Sequence, residues 1–134
     1  MADRSILAVD GALKALSRFL NPASPVRRAL VFIYVARNEP ATLEQISKRL
    51  RIPSGTAYDD LRALGKVDPG GKEGSRLLLE MPGGPQDPAY RYTLSPRGKM
   101  LVDCINFEVA AGLLEAEEDE PLDDYFEATR HTRG

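Results

Sequence analysis

The sequence of this 134-residue chain predicts a mainly α-helical domain with a small β-hairpin, a fold of the α+β class. Residues 42–67, TLEQISKRLRIPSGTAYDDLRALGKV, have the apolar spacing of two short helices separated by a tight turn. Residues 76–94 then contain two strand-like stretches separated by a segment rich in glycine and proline. Long apolar helical patterns precede and follow this centre, and they predict long N- and C-terminal helices.

The first of the two central helices is predicted to begin at Thr42, which forms the pattern of a capping box with Gln45 three residues later. Ile46 and Leu50 recur at helical spacing on one face. The helix is expected to end before Pro53, because proline restricts the residue that precedes it and does not fit a helix interior.

The second central helix is predicted to have Ser54 as its N-cap, since serine favours that position. Ala57, Leu61 and Leu64 recur on one side and are expected to face the core. Two short helices joined by a tight turn form a helix-turn-helix, in which the second helix is the recognition helix that enters the major groove of DNA.

Two strands are predicted after this motif, at Arg76–Met81 and Ala89–Leu94. In the second strand, Tyr90, Tyr92 and Leu94 alternate with polar residues, so that they should share one face. The connecting segment PGGPQDP breaks the pairing without continuing either strand. A helix-turn-helix followed by a β-hairpin is a winged helix-turn-helix.

Three further helices are predicted around this centre, two of them started by a serine followed by proline, at Ser24 and Ser95. The first helix, from about Ser5 to Leu20, is expected to pack on its own domain or on a second subunit. For the last helix a role in dimerisation is favoured over an intrachain role. The predicted organisation is therefore an N-terminal packing or dimerisation helix (1–21), a winged helix-turn-helix domain (22–99), a C-terminal dimerisation helix (100–120) and an acidic, polar tail whose order is left open (121–134).

The net charge of −2 hides a strong asymmetry along the chain. Residues 22–99 carry thirteen Lys and Arg against eight Asp and Glu, a balance of +5. Residues 108–127 carry nine acidic residues and no basic residue. Charge asymmetry of this kind points to a nucleic-acid partner for the basic segment. The acidic segment is expected to aid solubility, to contact a protein partner, or to fold back on the basic face.

Several function classes are excluded by what the sequence lacks. Cys104 is the only cysteine and His131 the only histidine, so a paired catalytic site or a thiolate metal site is not expected. The sequence shows neither a run that spans a bilayer nor a cleavable signal pattern. We therefore expect a cytoplasmic protein that is not an enzyme, needs no cofactor or metal, and does not contact membranes.

Residues 40–101 resemble the PadR and MarR groups of winged-helix transcriptional regulators. The resemblance rests on SGTAYDDLRALGKV at residues 54–67 and on YRYTLSPRGKML at residues 90–101, where an aromatic strand leads through threonine and proline into a helix. The acidic wing-strand signature of the MarR group is not evident, which favours the PadR group. The resemblance implies a homodimer that binds palindromic operators in double-stranded DNA and represses neighbouring genes.

The candidate DNA contacts lie on the recognition helix and around it. Arg62 is expected to contact guanine through both ends of its guanidinium, a pairing that discriminates between bases by about 1–3 kcal/mol. Gly55 would allow close backbone approach, and the start of the helix favours a phosphate. The candidates on the recognition helix are Ser54, Gly55, Thr56, Tyr58, Asp59, Arg62 and Lys66. The candidates for phosphate contacts are Thr42, Lys48, Arg49, Arg51 and Arg91.

Four charged residues leave the assignment open. Arg27 and Arg28 stand in the first turn of a helix, where they oppose the helix dipole, and either face phosphate or form a solvated surface. Asp59 and Asp60 would repel phosphate unless Asp59 pairs with Arg62 or accepts from a cytosine amino group. The alternative function is a winged-helix protein-interaction module, with an acidic tail, that recruits or blocks a protein partner.

Overall fold

The structure is a computed structural model that describes residues 3–66, 70–83 and 89–129, with side chains described as far as residue 117. These residues form five helices and a three-stranded antiparallel sheet, a winged helix-turn-helix. The elements are α1 (Arg4–Phe19), α2 (Val26–Asn38), β1 (Ala41–Thr42), α3 (Leu43–Leu50), α4 (Ser54–Leu64), β2 (Leu78–Met81), β3 (Arg91–Leu94) and α5 (Pro96–Thr129). They belong to two compact units, one of Met1–Arg18 with Asp103–Gly134 and the other of Phe19–Val102.

Helix α2 is the central helix of the second unit. Val31, Phe32 and Val35 have no exposed surface, and the helix packs against α3, α4 and β3. The helix begins one residue later than predicted because Pro25 has extended backbone angles and takes the N-cap position. Burial of this apolar face is the main stabilising contribution of the helix.

The predicted capping box at the start of α3 is confirmed. The Thr42 hydroxyl accepts a hydrogen bond from the Gln45 amide at 3.2 Å, and the Gln45 side chain accepts one from the Thr42 amide at 2.9 Å. At the other end Arg51 adopts left-handed backbone angles, with φ at 56°. The Ser47 hydroxyl donates to the Ile52 carbonyl at 2.6 Å and holds this turn in place.

The prediction that Ser54 caps α4 is wrong by one residue. Pro53 occupies the N-cap position with extended backbone angles, and its carbonyl accepts the first hydrogen bond of the helix from the Ala57 amide at 2.9 Å. Ser54 is therefore the first helical residue, and no side-chain hydrogen bond caps α4. Proline suits the position because its fixed φ lies in the range that a helix entry needs.

The sheet has the order β1-β3-β2, so the predicted hairpin gains a third strand. In this strand, β1, Ala41 pairs with Tyr92. A strand of two residues is too short to show an alternating pattern, so the sequence does not predict it. Strand β2 begins later than predicted because Arg76 has a positive φ of 59°, which is incompatible with a strand. Strand β3 begins at Arg91, so Tyr90 lies outside it and does not share the buried face of Tyr92.

Helix α5 begins as its sequence predicts. The Ser95 hydroxyl accepts from the Gly98 amide at 2.9 Å and donates to the Arg76 carbonyl at 2.7 Å. The helix runs on to Thr129 and thus continues past Pro121, where the sequence predicts the end of the ordered helix. The described residues include no helix whose length and apolar content would let it cross a membrane.

The first unit is a close crossing of α1 and the later part of α5. A Cβ atom on Gly11 would collide with the carbonyl of Glu108, and one on Gly112 would collide with the carbonyl of Leu7. Arg18 forms an ion pair with Glu108 at 2.5 Å. Glycine is needed at both positions because the two backbones touch there.

Candidate nucleic-acid interface

Helix α4 has one buried and one exposed face. Ala57, Leu61 and Leu64 are buried, so the predicted inward stripe is confirmed. The candidate residues lie on the rest of the surface. Ser54, Gly55, Tyr58 and Asp59 are exposed, whereas Thr56 and Arg62 are half-buried. Lys66 is also exposed, but α4 ends at Leu64, so the prediction that Lys66 lies on the recognition helix is wrong.

The start of α4 presents backbone amides to solvent. The first turn of a helix has N–H groups without intrahelical partners, and here no side-chain hydrogen bond caps them. Gly55 lies in this turn, and a Cβ atom added to it would meet nothing within 4 Å. The helix dipole adds a partial positive charge at the same place. This turn is therefore a favourable place for a phosphate group.

The side chain of Arg62 lies against Tyr58 one turn earlier in α4. Its guanidinium carbon is 5.9 Å from the centre of the tyrosine ring, within the range of a cation–π interaction. Tyr58 is 43% exposed, so the pair forms part of the outer surface of the helix. Stacking on the ring limits the directions that the guanidinium takes, which favours a specific contact over a diffuse one.

Asp60 is fully buried and does not face a ligand, which corrects the expectation that it repels phosphate. Arg27 donates from Nε and Nη2 to the two Asp60 oxygens at 2.6 and 2.9 Å, and Arg28 donates from Nε at 3.0 Å. The Asp60 carboxylate raises the pKa of the Arg27 guanidinium above its ordinary value through this hydrogen bond. The two arginines thus hold a buried carboxylate, and neither the phosphate role nor a simple solvated surface describes them.

Exposed cations surround the turn between α3 and α4. Lys48 and Arg49 lie in the last turn of α3, and Arg51 lies in the turn itself. All three are exposed, as their assignment to phosphate contacts requires. Arg51 has left-handed backbone angles, which glycine adopts more easily. The conformation of the turn therefore does not explain why an arginine occupies this position.

A cleft lies between the start of α3 and the start of β3. It has a volume of about 540 Å³ and is lined by Thr42, Gln45, Tyr58, Tyr90 and Arg91, among others. Tyr90 is 53% exposed and faces the same cleft as Tyr58. The sequence pattern missed Tyr90 as a surface residue, because the alternation with Tyr92 assigned it to the buried face. Strand pairing begins only at Arg91, so Tyr90 is not held on the buried face of the sheet.

Tyr92 has a structural place beside this surface. It is 5% exposed, and its hydroxyl donates to the Glu80 carboxylate at 3.0 Å across β2 and β3. Burial raises the pKa of Tyr92 well above its ordinary range, and the hydrogen bond to Glu80 adds to the effect. The tyrosine therefore stays protonated and fixes the two strands relative to each other.

Some predictions concern parts of the chain that lie outside the described residues. These are the tip of the wing at residues 84–88, the link at residues 67–69, the side chains of the acidic segment from residue 118 onwards, and residues 130–134. The proposed pairing of Asp59 with Arg62 and the division of the chain into four segments stay predictions.

No protein-family model and no curated protein matches this chain. Solved structures do resemble it. Rv1404 from Mycobacterium tuberculosis has a TM-score of 0.67 at 13% identity, over 86% of this chain and 73% of that one. MepR of Staphylococcus aureus, in a complex with DNA, has a TM-score of 0.63 at 16% identity, over 92% and 93%. The MarR family transcription regulator SP03579 has a TM-score of 0.58 at 19% identity, over 94% and 77%. The chain thus has the winged helix-turn-helix fold of MarR-family structures.

Proposed function

We propose that this chain is a sequence-specific double-stranded DNA-binding transcriptional regulator, a repressor that acts as a homodimer. The observation that carries the proposal is the first turn of α4. Gly55 is exposed and has open space around its Cα, so the fold does not need glycine there. In a helix interior glycine costs about 0.5–1 kcal/mol relative to alanine, which is an upper bound for the first turn. A residue that weakens the helix without serving its packing is consistent with the close approach of a ligand backbone.

The charges around α4 support DNA as that ligand. Because Asp60 is neutralised within the domain by Arg27 and Arg28, Asp59 is the one acidic residue that the helix exposes in the described structure. Lys48, Arg49 and Arg51 provide three exposed positive charges at the end of α3 and in the turn that leads into α4. Phosphate contacts of this kind position a protein on DNA, whereas Arg62 and its neighbours would read base edges.

The similarity to solved structures also supports DNA binding, through the fold alone. One similar structure, that of MepR, is a complex with DNA, and another is called a MarR family transcription regulator. These similarities concern the fold, so DNA binding by this chain remains our proposal. A closer relationship to the PadR group, and action in the cytoplasm without a cofactor, are part of the same proposal.

A homodimer is proposed from the first unit. Ile6, Val9 and Leu13 on α1 are between 51% and 65% exposed, although they recur on one side of the helix. Phe107 and Leu114 on α5 are 72% and 60% exposed, two turns apart. Apolar residues grouped in this way mark a protein interface. A second copy of the chain is the partner that suits a palindromic operator, since a two-fold axis then relates both protomers and both half-sites.

The dimer is tested by Leu13→Glu, with Val26→Glu as the matched control. Val26 is 73% exposed and lies on α2, outside the first unit. We expect Leu13→Glu to sediment as a monomer at concentrations where the wild-type chain and Val26→Glu sediment as dimers. Equal masses for all three proteins would contradict the use of this face.

DNA binding is tested by fluorescence anisotropy with a random-sequence duplex at several salt concentrations. Phosphate contacts release counterions, so the logarithm of the affinity should fall linearly with the logarithm of salt, with a slope of about −0.9 per contact. Arg51→Gly should reduce the slope by about one contact at little change in stability, because glycine fits the left-handed turn. Absence of binding at about 20 mM salt, where screening is weak, would refute the proposal.

The alternative, a protein-interaction module with an acidic tail, has less support than the sequence gives it. One argument for this alternative is the repulsion of phosphate by Asp59 and Asp60, but Asp60 is buried and bonded to Arg27. The acidic segment still allows a protein partner. Deleting it after Leu114 tests whether it competes with DNA: tighter DNA binding at low salt would show the competition, and an unchanged affinity would exclude it.

A further inference from the structure

The cluster of Asp60, which is buried, with Arg27 and Arg28, which are half-buried, is not explained by stability. Asp60 has no exposed surface, so the carboxylate has lost its hydration. Both arginines stand in the first turn of α2, where the helix dipole disfavours positive charge. Replacing a buried ion cluster of this type by well-packed apolar side chains is often neutral or stabilising. The cluster must therefore provide something that apolar packing does not.

The cluster provides a fixed orientation of α4 relative to α2. Arg27 donates to both Asp60 oxygens in a fork, and Arg28 adds a third bond to Oδ1. Such a forked pair fixes distance and angle together, because both bonds form only in one relative orientation. The hydrophobic effect that packs apolar side chains is non-directional, whereas hydrogen bonds weaken steeply as their angle departs from linearity. The three bonds thus fix how α4 is turned about its own axis relative to α2.

The candidate DNA-contacting residues Arg62 and Gly55 lie on the opposite side of α4. With about 100° per residue, Arg62 lies about 160° and Gly55 about 140° around the helix from Asp60. A rotation of α4 by about 20° would move a group about 6 Å from the axis by about 2 Å. Hydrogen bonds to base edges tolerate far less than this displacement. Fixing Asp60 on the inner side therefore fixes Arg62 on the outer side.

We propose that Asp60 is a positioning residue for DNA readout, which holds the recognition helix in the rotation that base contacts require through its bonds to Arg27 and Arg28. The inference rests on the proposed function and adds a residue that touches no DNA. It makes a distinctive prediction: loss of the cluster reduces the preference for the specific site, whereas affinity for random DNA is retained.

The experiment begins with selection of the preferred site from a pool of randomised duplexes, using the full-length wild-type chain. The ratio of affinities for the selected and a random duplex is then measured at one salt concentration. Asp60→Asn should lower this ratio about tenfold or more, the effect of losing one bidentate base contact. Arg27→Lys keeps the charge but not the fork, and should lower the ratio by a smaller factor. Glu73→Gln, which removes an exposed acid paired with Arg76, should leave it unchanged.

A triple variant, Asp60→Leu with Arg27→Met and Arg28→Met, separates the effect of the cluster on the orientation of α4 from its effect on the stability of the fold. It should unfold at a temperature near that of the wild-type chain and still show the lowered ratio. Any phosphate contact that the arginines make would act on both duplexes equally, and so cancels in the ratio. A wild-type ratio in the folded Arg27→Lys and triple variants would overturn the inference. A wild-type chain that selects no sequence at all would instead refute the proposed function.

Discussion

Two of the helical regions that contain glycine in this protein do so for opposite reasons. At the crossing of α1 and α5, Gly11 and Gly112 each press against a backbone carbonyl, and a larger residue has no room. In the first turn of α4, Gly55 faces open space, and a larger residue would meet nothing in the fold. The first pair serves the packing of the chain. The second is a place where the fold accepts a weaker helix, and it is the place where we expect a ligand backbone.

The largest effect on stability is expected at the crossing. Gly112→Ala forces its Cβ against the Leu7 carbonyl, so the two helices must separate. Overpacking of this kind costs about 1–3 kcal/mol, only partly offset by the better helix propensity of alanine. Urea unfolding followed by circular dichroism would show a lower midpoint. A midpoint at or above the wild-type value would mean that the crossing is looser than described.

The next effect concerns DNA and leaves the fold intact. Arg62→Ala should lower the preference for the selected site by about 1–3 kcal/mol and change random-sequence affinity much less. Arg62→Lys is the matched control, since it keeps the charge but not the planar fork. We expect it to lose preference as well while its salt dependence stays that of the wild-type chain. Equal losses on both duplexes for Arg62→Ala would move Arg62 to the phosphate contacts.

A smaller effect appears only at high pH. Because the folded state raises the pKa of Tyr92, the unfolded chain ionises first as pH rises through about 10. The stabilisation is complete below that pH and is lost above it, by about 1.4 kcal/mol per pH unit for one group. Tyr92→Phe should remove this contribution, so that its unfolding free energy falls less steeply between about pH 10 and 11.5. Identical slopes for both proteins would contradict the burial of the hydroxyl.

The parts of the fold that the sequence predicts are those with local causes. The capping box of Thr42 with Gln45 and the start of α5 at Ser95 each depend on atoms within three residues. The missed features depend on distant partners. Strand β1 exists because Ala41 pairs with Tyr92, about fifty residues further along the chain. Nothing near Asp60 in the sequence indicates that its partners are Arg27 and Arg28.

The candidate site follows the same division. Helical spacing alone gives the outer face of α4 and therefore Gly55, Tyr58 and Arg62 as surface residues. It also places Asp60, three residues after Ala57 and four before Leu64, on the inner face, but it does not give the partners of this carboxylate, because these depend on where α2 lies. Nor does it give the exposure of Tyr90, since alternation continues in the sequence beyond the point where strand pairing ends.

The central claim, that the outer face of α4 is kept for DNA rather than for the fold, is tested most directly by Gly55→Ala. Its unfolding free energy and its affinity for the selected duplex are measured on the same protein. We predict that stability rises by at most about 0.5–1 kcal/mol, the value for a helix interior, because alanine favours the helix, while the affinity for DNA falls. Higher stability with an unchanged affinity would contradict the claim, since the open space at Gly55 would then serve no ligand.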